Sequence, residues 1–167
     1  QDALSSQVTL HASSSLLQSS DSIINSLEQR NYGCTEQSFA YWTSVILENQ
    51  IYGRNESLIP ETQIRQAWEK IIETLQPNSG FSFWSGPYAK PNVWLTANIL
   101  EFYDLWEAKG LTLTESQKNA ALEFIDRRSQ ELCVQFAPCV DNTTRVYAQY
   151  VLAKHKRLTG SQLEIMH

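Results

Sequence analysis

The sequence predicts an all-α fold of helical hairpins in series. Three observations predict it. Apolar residues recur at helical spacing through six segments. Gly, Pro and Asn punctuate the chain between those segments. Alternation of the strand type stands out at one place, Val8, Leu10 and Ala12. At 167 residues the chain is long enough for one domain with a core, plus a short extension.

The stretch to about residue 19 is rich in Ser and Gln, and its short strand at Val8 to Ala12 needs a partner from a neighbouring sheet. Ser20 or Asp21 caps a helix carrying Ile23, Ile24 and Leu27, which Asn31 to Gly33 breaks. The next helix is expected from Thr35 to Tyr52, with Phe39, Trp42, Val45 and Ile46, and Gly53 ends it. Pro60-Glu61-Thr62 opens a third, carrying Ile64, Ala67, Trp68, Ile71, Ile72 and Leu75. A loop of Gly, Pro, Ser and aromatics is expected from Pro77 to Pro91. The fourth helix, Val93 to Lys109, is apolar on most sides and should be buried on several faces. Thr114 with Gln117 forms a capping box for a fifth, through about Leu132. A sixth is expected from Asn142 to Lys156. The spacing is equally compatible with a ring, a solenoid or a bundle.

A net charge of −5 without a Lys/Arg cluster argues against a nucleic-acid or anionic-membrane partner. No apolar run is long enough to insert in a bilayer. Gln1 opens without Met or a basic-then-apolar leader, which reads as an internal start. Carboxylates are scattered without metal-ligand spacing, and there is no Gly-rich phosphate loop, so neither metal nor cofactor is expected. Asn55-Glu56-Ser57 and Asn142-Thr143-Thr144 fit glycosylation sequons, which a bacterial origin would make irrelevant.

Three cysteines divide unevenly. Cys133 and Cys139 flank Pro138 and suit a short disulfide loop in an exported protein; the alternative is three reduced cysteines in the cytosol. Cys34 stands apart, in Tyr32-Gly33-Cys34-Thr35-Glu36-Gln37, at a helix start. Positions 34 and 37 share a helical face. The N–H groups of a helix N-terminus favour a thiolate and stabilise an oxyanion on the Gln37 carbonyl. Attack there, with loss of ammonia, gives an internal thioester. Gly33 permits the tight turn, Glu36 suits the first helical turn, and Tyr32, Trp84 and Trp94 are candidates for walling off water. On the bare Cys-x-x-Gln spacing alone, an inert core cysteine is the favoured reading.

The wider context resembles one family. Tyr-Gly-Cys-Thr-Glu-Gln is similar to the thioester motif of the alpha-2-macroglobulin and complement family, most like its bacterial members, with Thr35 where a second Gly is usual and Asn31 where Pro is common. Gly80-Phe81-Ser82-Phe83-Trp84 and then Val93-Trp94-Leu95-Thr96-Ala97 resemble two further blocks of that family, in the same order. Val146 to Leu152 resembles a later helix of the bacterial members. The resemblance runs from about Val8 to Leu163.

That resemblance implies a partial α/α toroid of inner and outer helices over residues 20–167, with residues 1–19 a strand and linker from an adjoining CUB-like domain. It implies a Cys34–Gln37 thioester in a broad-range protease inhibitor rather than an enzyme. Its partners would be proteases, linked through lysine amines after bait cleavage elsewhere, and other domains of the same large protein. The place would be the periplasm or the exterior, with any membrane anchor in another part of the protein. Some relatives carry a downstream His that relays the acyl group to hydroxyls; Gln135 to Thr143 has none, and His155 on its helix reads as a packing residue. Two other readings compete: a cysteine-nucleophile enzyme, which needs a base near Cys34, and a helical interaction module with an inert Cys34.

Overall fold

The computed structural model describes residues 33–52, 61–131 and 140–157. The expected strand at Val8 to Ala12, the helix around Ile23, Tyr32, and the Cys133–Cys139 pair lie outside the described residues. Six helices are present among those described: α1 Thr35–Tyr52, α2 Glu61–Ile72, α3 Val93–Glu101, α4 Tyr103–Glu107, α5 Glu115–Gln130 and α6 Asn142–Lys154. The β structure among the described residues is one isolated bridge between Leu75 and Phe81. None of these helices is long and apolar enough to cross a membrane.

Two hydrophobic clusters organise the helices. α2 buries Ile64, Ala67, Trp68 and Ile71, a strict i, i+3, i+4, i+7 stripe. That stripe packs with Phe39 and Ile46 of α1, Leu95 and Ile99 of α3, and Tyr103 and Trp106 of α4. The second cluster joins Val93, Ala97 and Leu100 of α3 to Leu122 and Ile125 of α5 and to Val151 and Leu152 of α6. Helix α3 therefore supplies both clusters, as its all-round apolarity predicts. Fully burying each such large aliphatic side chain contributes about 1.5–3 kcal/mol, so α3 is the helix the fold can least do without.

The expected single helix from Val93 to Lys109 is broken. Phe102 sits at φ −97°, ψ 7°, and separates α3 from α4. The Phe102 N–H reaches back to Asn98 at a long 3.4 Å, and the Leu105 N–H turns to the Phe102 carbonyl instead of that of Glu101. Helix α6 covers the break. The Lys154 ammonium donates to the Glu101 carbonyl and pairs with Asp104 at 3.1 Å, and the His155 ring meets the Leu100 carbonyl at 3.0 Å. A break stabilised by residues some fifty positions away leaves no local mark such as Gly or Pro.

Caps set the remaining starts. The Thr114–Gln117 capping box forms in both directions, at 3.2 and 2.9 Å. Asn92 Oδ1 accepts the Leu95 N–H at 3.0 Å to open α3. Asp141 opens α6: its carboxylate accepts the Thr144 hydroxyl at 2.7 Å and the Thr144 N–H at 2.9 Å. Those bonds, the hydroxyl first, hold the Asp141 carboxyl below the usual carboxylate range. The stability they give is therefore present above the unfolded-state pKa and is lost as pH falls through the folded-state value. Asp141→Ala should lower the melting temperature at neutral pH and lose that effect well below about pH 4, the ordinary Asp value. An equal deficit at both pH values would contradict the charged cap.

Candidate functional site

Cys34 is the residue immediately before α1, and its carbonyl accepts the first helical N–H, from Ser38, at 3.0 Å. It is buried, with 9% of its surface exposed. Gln37 and Glu36 lie in the first turn of α1 and are half-buried. Gly33 precedes at φ +83°, a left-handed conformation that favours glycine. The turn thus enters the helix with Cys34 facing inward.

Three distant sequence blocks are tied together at this turn. The Thr35 N–H and the Thr35 hydroxyl both donate to the Phe83 carbonyl, each at 2.9 Å. Two residues back, the Phe81 carbonyl accepts the Asn92 N–H at 2.8 Å. The Phe81 N–H donates at 2.9 Å to the Thr96 hydroxyl, which in turn donates to the Asn92 carbonyl at 2.7 Å. The Ser82 N–H donates to the Thr74 carbonyl at 3.0 Å, and the Ser82 hydroxyl lies 2.7 Å from the Trp84 carbonyl. The loop from Gly80 to Trp84 is therefore a strap fixed to the end of α2, to the start of α3 and to the start of α1.

Gly80 lets the strap lie so close. A Cβ built there would stand 2.3 Å from Thr96 Oγ1 and 2.5 Å from the Phe124 ring. Thr96 is fully buried, so its hydroxyl has no water to turn to, and the strap supplies its partner. The role of Thr96, and that of Thr35, was missed in the sequence. A threonine in a first helical turn commonly bonds the i−4 carbonyl, a signal available for Thr96 but not for Thr35, whose partner is 48 residues away.

A groove of about 700 Å³ opens beside the strap, lined by Thr35, Ser38 and Trp42 at α1, by α2 from Gln63 to Ile71, and by Phe83 and Trp84 of the strap. Cys34 and Gln37 are not among its walls. Trp84 borders the groove but is 65% exposed. Trp94 is placed elsewhere: with Asn98 and Glu101 it forms the face of α3 that meets Tyr147 of α6, at 6.4 Å between rings. Burial and the Glu101 carboxylate push the Tyr147 hydroxyl well above its ordinary range. Trp94 thus belongs to an aromatic surface on the α6 side, and the sequence offered no means of telling that face from the one toward Cys34.

Among the described residues no group of His, Cys, Asp and Glu could hold a metal ion. His155, the histidine among them, is engaged with Leu100 as part of the second cluster's surroundings.

No family sequence model and no curated protein matches the chain. Solved structures do. The chain is similar to native alpha-2-macroglobulin from Escherichia coli in a crystal structure spanning domain MG7 to the C-terminus, with a TM-score of 0.60 at 20% identity over 84% of this chain and 24% of that one. A cryo-EM reconstruction of the native conformation of the E. coli protein gives 0.61 at 20% identity, over 84% of this chain and 10% of that one. The chain therefore spans a quarter or less of either structure. In fold, it resembles part of the C-terminal region of a bacterial alpha-2-macroglobulin.

Proposed function

We propose that this chain is the thioester-bearing part of an alpha-2-macroglobulin-like protease inhibitor acting in the periplasm or outside the cell. The observation that carries the reading is the strap. The Cys34–Gln37 turn, the Gly80–Trp84 loop and the Asn92–Thr96 helix start are far apart in sequence and joined by hydrogen bonds into one unit. An inert helix start would not require such anchorage.

The chemistry follows from the residues. The Cys34 thiolate attacks the Gln37 side-chain carbonyl, the C–N bond breaks, ammonia leaves, and a C–S bond remains. Later, a lysine amine of a protease attacks the same carbonyl. The C–S bond breaks, Cys34 leaves as thiolate and takes up the amine's proton, and Gln37 is left in an amide to the protease. The trigger, a cleavage in a bait segment elsewhere in the larger protein, exposes the bond. A cysteine enzyme would need a base at Cys34; among the described residues the histidine is bound to the Leu100 carbonyl instead.

Intact mass tests this. Freshly isolated, denatured protein should be one ammonia lighter than its sequence, and methylamine should add its mass at Gln37. Cys34→Ala should do neither. With no histidine between Gln135 and Thr143, glycerol should label far more slowly than methylamine. A full-mass protein with a free Cys34 thiol and an unmodified Gln37 would overturn the proposal.

A further inference from the structure

We infer that Thr35 is a positioning residue: its double hydrogen bond to the Phe83 carbonyl is the clasp that controls access to Cys34. The inference deepens the thioester reading in one of its readouts and stands apart from it in the other.

The N–H at the first position of a helix has no partner within the helix. At Thr35 that N–H is met by a carbonyl 48 residues away, and the hydroxyl of the same residue is aimed at the same oxygen. A carbonyl oxygen accepts two hydrogen bonds, so Phe83 is saturated by one residue. Thr35 is 4% exposed, so neither bond exchanges readily with water. The strap's other anchors run to Thr74, Asn92 and Thr96, on α2's end and α3's start. The clasp ties the strap to the start of α1 by hydrogen bonds, beside the packing of Phe81 and Phe83 in the cluster that holds Phe39 and Ile46. Its release loosens the Cys34 turn from the strap while the strap keeps its bonds to Thr74, Asn92 and Thr96.

The surroundings make this loosening consequential. Thr35, Phe83 and Trp84 border the groove, so the clasp lies at the groove's edge. Cys34, covalently next to Thr35, is buried and outside the groove walls. The exposed Trp84 ring follows Phe83 directly and gives a contacting molecule a handle on the strap. A pull on that ring acts on the clasp one residue away. Glycine at position 35 would supply only the N–H, so the second bond of the lock depends on the Thr35 hydroxyl.

The test compares wild type, Thr35→Val and Thr35→Ser in the full chain. Valine keeps the shape and removes the hydroxyl; serine restores it. One readout is release of the Cys34 thiol by water from the thioester. The other is iodoacetamide alkylation of Cys34 after methylamine opening, resolved by peptide mass spectrometry from Cys133 and Cys139. Loss of one hydrogen bond should speed both in Thr35→Val by roughly fivefold, with Thr35→Ser within about twofold of wild type. Alkylation is followed across low urea: local opening gives a flat dependence, global unfolding a steep one. Equal rates in wild type and Thr35→Val, or a steep urea dependence in every variant, would overturn the inference. A wild type that carries no thioester at the outset removes the functional reading alone, and the alkylation comparison on that protein still decides the clasp.

Discussion

Replacing Trp106 by alanine should destabilise the protein by about 3–5 kcal/mol, the range for truncating a fully buried tryptophan. Trp106 has no exposed surface. Its ring stacks on Phe39 of α1, with centroids 5.5 Å apart and 14° between planes, and lies 5.1 Å from Trp68 of α2. Its indole N–H donates to the Thr43 hydroxyl of α1 at 3.0 Å. Three helices thus meet on one side chain, and two of its contacts land on α1, the helix that begins just after Cys34. Trp106→Phe keeps most of the apolar contact and removes the indole donor, so it should cost about 1–2 kcal/mol. Urea midpoints for both variants check this. A loss below about 1.5 kcal/mol for Trp106→Ala would mean that the site collapses around the gap far better than dense packing allows. The prediction also reaches the site. A loosened Phe39 frees the second turn of α1, and with it the register of Gln37 against Cys34.

Helix positions were legible where the signal is local. The expected span from Thr35 to Tyr52 is that of α1, and the Thr114–Gln117 capping box is present as read. Both rest on residues three or four apart, which a single sequence displays directly. The split at Phe102 was not legible, because its stabilising partners, Lys154 and His155, come from another helix. The site divides in the same way. Cys34, Gln37 and the separate Phe-rich and Trp-Leu-Thr-Ala blocks were visible as patterns, but not that Thr35 and Thr96 would be the atoms joining them. Trp94 illustrates the limit of adjacency. It sits two residues before Thr96, yet the helical turn carries it to the Tyr147 face, while Thr96 meets the strap.

Gly80→Ala is the second large effect, expected at about 3 kcal/mol or more, the upper end for inserting a methyl group into packed surroundings. The cause is space. The added Cβ would lie 2.3 Å from Thr96 Oγ1 and 2.5 and 2.7 Å from two Phe124 ring carbons. Neither neighbour yields cheaply. Thr96 is fixed by Phe81 on one side and Asn92 on the other, and Phe124 is buried in the second cluster. Gly33→Ala is the control, since its Cβ would meet nothing within 4 Å and its cost is the φ of +83° alone; that cost is about 1–2 kcal/mol. The excess of Gly80→Ala over Gly33→Ala is then a measure of steric conflict. A cycle with Phe124→Leu tests the assignment, because a smaller, more mobile side chain relieves two of the three close contacts. The double variant should be more stable than the sum of the singles by at least about 1 kcal/mol, in the range of coupling between touching residues. Additivity within about 0.5 kcal/mol would show that Phe124 is not what excludes the methyl group. The site makes the same measurement informative twice. Pushing Gly80 away from Thr96 breaks the Phe81 anchor but leaves the Thr35 clasp in place, so the strap should pivot about α1. Cys34 alkylation should then rise less than stability falls, the opposite balance to Thr35→Val.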